Sequence, residues 1–154
     1  MWSRVAPGSN TGMNLLRAAI APIAEGSRFF RSVIVTGAHR KSLEAVASGQ
    51  ADVAAIDCVS FARFQNFDPE ITARVAKIGQ SSSTAAPPFI TAKNDPGILR
   101  VLREALHDVA LAPSLKSVRS ALNIEGFAFD TDADYERLSI IENNAVTLGY
   151  ADLH

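Results

Sequence analysis

A single cysteine, Cys58, occurs in the 154 residues. That count excludes an intrachain disulfide and any metal site built from several thiolates, and it leaves the redox compartment open. An excess of one charge is missing as well. Fifteen Lys and Arg stand against 16 Asp and Glu, a net charge of −1, with no basic run that could track a phosphate backbone. Nucleic acid is therefore not an expected partner. No apolar run is long enough to span a bilayer, and the N-terminus lacks the charged-then-apolar layout of a signal peptide, so the chain as given carries no export or membrane signal. What remains is 47% hydrophobic and 20% charged residues, the composition of one ordinary globular domain with a core of its own.

The stretch "PGSNTGMNLLR", Pro7 to Arg17, sets small and polar turn residues directly ahead of an apolar run with helical spacing. With a short candidate strand before it, Trp2 to Ala6, it reads as strand, tight loop, helix. Ser9, Asn10 or Thr11 can cap that helix by accepting from a free N–H of the first turn. The same N–H groups, with Gly12 allowing close backbone approach, can also seat an anion. Leu15, Leu16, Ala19, Ile20 and Ile23 continue the helix to the Pro22–Gly26 region. "FFRSVIVT", Phe29 to Thr36, reads as a buried strand. A helix in "GAHRKSLEAVASG" follows, closed by Gly49. "ADVAAID" reads as a buried parallel strand, Val59 to Phe67 as a short helix and Ala73 to Gly79 as another strand. This βαβαβαβ order implies an α/β fold with an open, mostly parallel sheet and flanking helices.

"QSSSTAAPP", Gln80 to Pro88, breaks the pattern and marks a linker or crossover. Beyond it come the short strand "FITA" and a helix capped by Asp95 with Pro96 at its first position. A short helix from Pro113 follows, and a last helix opens at Thr131 and Asp134 and ends at Gly149. The expected organisation is thus an α/β ligand-binding lobe over residues 1–81 and a mainly helical part over 82–154.

Three pieces occur in order: "GSNTGMNLLRAAIAP", "VIVTGAHRKSLEAVASGQADVAAIDC" and "APPFIT". Together they resemble the second lobe and C-terminal part of a type II periplasmic binding protein of the phosphate/phosphite/phosphonate ABC transporter family. The resemblance implies a substrate-binding component for a small oxyanion, an ABC permease as partner, a periplasmic setting, and no enzymatic activity, cofactor or metal. It also implies a preceding first lobe that this chain does not supply. The family's turn hydroxyls and amides bind phosphonate oxygens and its histidine adds a hydrogen bond, which carries ligand roles to Ser9, Asn10, Thr11, Gly12 and His39. Asn10 stands where the family usually has a hydroxyl residue. Ser9 to Gly12, His39 and Asp57 each follow a predicted strand, so all should face one crevice at the carboxyl edge of the sheet. Asp57 repels an oxyanion unless it accepts a ligand proton or pairs with a cationic group, and capping the next helix is its other reading.

Other readings stand beside this one. Ser9, His39 and Asp57 are the residue types of a hydrolytic triad, but the G-x-S-x-G motif is absent. Cys58 near His39 suggests a thiol nucleophile or a small core residue. A ligand-sensing or cofactor-precursor-binding domain would use the same fold. Finally, helices around Ile98 to Val109 and Tyr135 to Leu148 carry apolar faces that lie against the first lobe in the family. They are expected to pair in a homodimer or larger assembly.

Overall fold

The computed structural model describes residues 2–4, 8–26, 28–91, 96–129 and 131–153. Its contacts divide the chain into two units, one of residues 1–84 with 132–154 and one of 85–131. The last helix, expected with the 82–154 part, thus belongs with the first unit. The reason is packing: helix α7 (Asp132–Thr147) lies against α1 (Leu15–Ile20) and contributes Ala145 to the core that Ile20 and Ala21 begin.

In the first unit, β1 (Trp2–Arg4), β2 (Val33–Val35) and β3 (Val53–Ala54) form a three-stranded parallel sheet in the order β2-β1-β3. Trp2 pairs with both Val33 and Val53, and Arg4 with Val35. The strands are much shorter than the sequence suggests. Phe29 to Thr36 contributes only Val33–Val35, and "ADVAAID" only Val53–Ala54. Two expected strands are corrected outright. Val75 to Gly79 has no regular structure, and neither do Phe89 to Thr91 of "FITA". Ile78, Phe89 and Ile90 are 84, 79 and 89% exposed, so the apolar, β-branched composition that marks a strand meets no strand or helix face among the described residues that would bury it.

Helices dominate the rest. Between β2 and β3 lies α2 (His39–Ala47), followed after β3 by α3 (Cys58–Phe67) and the short α4 (Pro69–Thr72). Leu43 and Ala45 bury the inner face of α2, and Ser42, 0% exposed, places its hydroxyl 2.6 Å from that of Thr36. That pairing satisfies a buried polar group beside the end of β2. The core of the unit joins Ile20, Ala21, Ala145, Tyr150 and Leu153, with Met13, Leu16, Phe30, Val33 and Val53 packed around them. Gly149, at φ +81°, ends α7 in the left-handed conformation. The Tyr150 amide then donates back to the Ala145 carbonyl at 3.0 Å, a Schellman closure that turns the C-terminal segment into the core.

The second unit holds α5 (Pro96–Leu111) and α6 (Lys116–Leu122), joined by a 3-10 turn at Pro113–Leu115. Arg119 pins that corner by donating to the carbonyls of Val109 and Ala112 at 2.7 and 2.8 Å. Asp95, the expected cap of α5, lies outside the described residues. No helix among the described residues is long and apolar enough to cross a membrane.

Candidate ligand-binding site

The turn after β1 is a single π-helical turn, Asn10–Asn14, that runs directly into α1. Ser9 caps it: its backbone is extended, its Oγ accepts from the Gly12 amide at 3.0 Å, and its carbonyl accepts from the amides of Met13 and Asn14. Three of the first-turn donors are satisfied in this way. The amides of Asn10 and Thr11 have no partner among the described residues, and they lie at the positive end of the helical segment. A serine, an Asx residue, a threonine and a glycine in succession fold locally like this because the serine oxygen competes well for a nearby amide and Gly12, which is buried, brings no side chain into the turn.

His39 opens α2 four residues after β2, and Asp57 caps α3 three residues after β3. Because β1, β2 and β3 are parallel, both leave the sheet at the edge where β1 ends, and Ser9 follows β1 in the sequence. β2 and β3 lie on either side of β1, and His39 and Asp57 meet: His39 Nε2 is 3.1 Å from Asp57 Oδ2. Both side chains are mostly covered, at 21 and 28% exposure. Asp57 has two tasks at once, since its Oδ1 accepts from the Ser60 amide at 2.8 Å. The other imidazole nitrogen, His39 Nδ1, is buried without a hydrogen-bond partner among the described residues. No described hydrogen bond or ion pair joins the Ser9–Gly12 turn to this pair. Cys58 is exposed at the first position of α3.

The double role of Asp57 makes a clean stability test. Asn is as good an N-cap as Asp, whereas Ala removes the acceptor. Asp57→Ala should therefore cost about 1 kcal/mol in a urea titration and Asp57→Asn clearly less. Equal losses would mean that the contact with His39, and not the cap, carries the stabilisation.

Two residues that sequence reasoning passed over complete the surroundings of the turn. Asn14 donates from Nδ2 to Asn10 Oδ1 at 3.2 Å, and its own Oδ1 accepts from Arg17 Nη2 at 3.2 Å. Arg17 is only 2% exposed. Its Nη1 donates to the Ala151 carbonyl and its Nη2 to the Glu142 carbonyl at 3.4 Å, with the Glu142 carboxylate 3.6 Å away. A signal existed in the sequence. Arg17 is spaced by four and three residues from Met13, which packs against the core, and Ile20, which belongs to it, so a charge stands in register with the apolar stripe. A shallow hollow of about 190 Å³ lies beside the turn, lined by Gly8, Ser9, Asn10 and Asn14 on one side and Leu138, Ser139 and Glu142 of α7 on the other. Among the described residues, no group of three His, Cys, Asp or Glu side chains is placed to hold a metal ion.

No curated protein matches the chain. A family model does, that of the ABC transporter, phosphonate, periplasmic substrate-binding protein, over residues 2–135. The match takes in β1, the capped turn, His39, Asp57 and the whole of the second unit. By this match, the chain belongs to the phosphonate periplasmic substrate-binding proteins of ABC transporters.

Proposed function

We propose that the chain binds a small oxyanion of the phosphonate, phosphate or phosphite class at the turn Ser9–Gly12, as the ligand-binding element of an ABC uptake system. The carrying observation is the shared sheet edge: the turn, His39 and Asp57 follow three parallel strands in one direction. The family match gives that edge its ligand class. On this reading the amides of Asn10 and Thr11, the Thr11 hydroxyl and the Asn10 side chain supply neutral donors. Such donors hold an oxyanion without placing a full opposing charge beside it. His39 stands at the same edge, its ring oriented by the contact of Nε2 with Asp57. On this reading Asp57 acts on the ring and not directly on the ligand.

A hydrolytic triad needs the histidine between serine and carboxylate. The Ser9 hydroxyl instead serves as a helix cap, which supports binding over catalysis. The permease partner and the periplasmic setting follow from the family and belong to the same reading.

The turn is partly open to water, so each hydrogen bond to the ligand contributes about 0.5 to 1.5 kcal/mol and the affinity falls in the millimolar range. An NMR titration with methylphosphonate and inorganic phosphate should move the amides of Ser9 to Asn14 and the His39 ring. Thr11→Val, which removes a donor at nearly constant volume, should weaken binding about three- to tenfold, while Cys58→Ser should leave it unchanged. Shifts confined to surface lysines would rule the turn out as the site.

Association is part of the proposal. α5 exposes Ile98, Val101, Leu102 and Leu111, and α7 exposes Ile140 and Val146. Leaving such surface wet is unfavourable by about 25 cal/mol per Å². A homodimer or larger species is expected by light scattering at micromolar concentration, and a strictly monomeric mass would count against it.

A further inference from the structure

We propose that Arg17 is a positioning residue that fixes the polarity of the Asn10 side chain, so that the turn offers an NH₂ group and not a carbonyl to an oxyanion. The inference rests on the reading of the turn as an anion site, and it follows from donor chemistry. A guanidinium has donors only. The side-chain atom of Asn14 that faces Arg17 Nη2 must therefore be its oxygen, which sends its NH₂ towards Asn10. Asn10 must then answer with its own oxygen, and Asn14 Nδ2 does lie 3.2 Å from Asn10 Oδ1. The consequence at the end of the chain is that Asn10 Nδ2 carries two N–H bonds with no partner among the described residues. An amide in place of a hydroxyl could present either end to a ligand. Here a buried cation two links away decides which.

The anchor of this relay is itself fixed from outside the turn. The Ala151 and Glu142 carbonyls accept from the two terminal nitrogens of Arg17, and the residue is 2% exposed, so its rotamer has little freedom. Glu142 and Ala151 both lie beyond residues 2–135, the stretch matched by the family model. The C-terminal segment of the chain thus helps to set a donor in a turn near its beginning.

Replacing Arg17 disturbs the core, so the test uses Asn14→Asp. An aspartate keeps the volume and the acceptor facing Arg17, but it offers an acceptor to Asn10 as well, and Asn10 must rotate its NH₂ inwards. With ¹⁵N-labelled protein, the side-chain amide protons of Asn10 should exchange rapidly with water in the wild type and more slowly in the Asn14→Asp variant. Methylphosphonate affinity should fall about tenfold or more, the loss of a donor plus a reversed dipole. Ser139→Asp, which adds the same charge on the other side of the hollow, should leave Asn10 exchange unchanged and lower affinity far less. Slow Asn10 exchange in the wild type, or equal losses of affinity in both variants with Asn10 unchanged, would overturn the relay. Should Asn10 respond as expected while the wild type fails to bind methylphosphonate, the relay stands and the anion site falls.

Discussion

Arg17→Met should lower the free energy of unfolding by about 2 to 4 kcal/mol, while Glu142→Gln should lower it by less than about 1 kcal/mol. The two residues form one ion pair at 3.6 Å, with side chains 3 and 56% exposed, and a simple pairwise view would assign them equal weight. They differ in what they leave behind. Without Arg17, the Ala151 carbonyl and the side-chain oxygen of Asn14 lose their donor, while the Glu142 carbonyl, inside α7, loses only a second one, and each acceptor left unsatisfied costs about 1 to 3 kcal/mol where water does not reach it. Against this, methionine removes a buried charge and the stranded Nε, which has no hydrogen-bond partner among the described residues. That relief is why the expected loss stays below the full sum. Without the Glu142 carboxylate, the guanidinium still has its three oxygen acceptors, and an exposed charge contributes little. Urea titrations of the two variants decide the matter. A Glu142→Gln loss as large as that of Arg17→Met would mean that the ion pair, and not the carbonyl network, holds the segment.

How far the sequence anticipates this arrangement depends on the range of the interactions involved. The capped turn is legible because its chemistry is local: Ser9 accepts from an amide three residues on, and that spacing can be read directly. Asp57 is legible for the same reason, as the cap of α3. The parallel direction of the first three strands is legible because helices separate them. Strand length is not, because an apolar run such as "ARVAKIG" becomes a strand only where a partner edge exists, and Ile78 finds none among the described residues. The meeting of His39 with Asp57 depends on strand order, β2-β1-β3, which periodicity does not encode. The 82–154 segment shows the widest gap. Its composition shift at the Ser- and Pro-rich stretch is genuine, but residues 132–154 return to the first unit through contacts with α1 more than a hundred positions earlier. The one hint was the charge of Arg17 standing within an apolar stripe, since a buried arginine requires partners and the partners must come from elsewhere.

That return of the chain carries the largest expected effect. Tyr150 is 0% exposed and is the largest fully buried side chain among the described residues. It packs with Ile20, Ala21, Ala145 and Leu153, so it touches the helix that follows the ligand turn as well as α7. Tyr150→Ala should cost about 3 to 5 kcal/mol, the range for deleting a buried aromatic ring whose cavity cannot fully collapse. That is a large share of a domain's stability of about 5 to 15 kcal/mol. The adjacent Ala151 carbonyl is an acceptor for Arg17. Hence the Tyr150→Ala and Arg17→Met losses should add to less than their sum, both releasing the same segment. Tyr150→Phe isolates the hydroxyl. Burial, helped by the charge of Asp152, raises the phenol pKa above its ordinary value of 10.0. The sign is then fixed: the unfolded phenol ionises first, so the stabilisation is whole below about pH 10 and is lost as pH rises towards the folded-state value. Wild-type stability should drop more steeply above pH 10 than that of Tyr150→Phe. Parallel curves for the two proteins, or a Tyr150→Ala variant within 1 kcal/mol of the wild type, would show that the C-terminal segment does not seal this core.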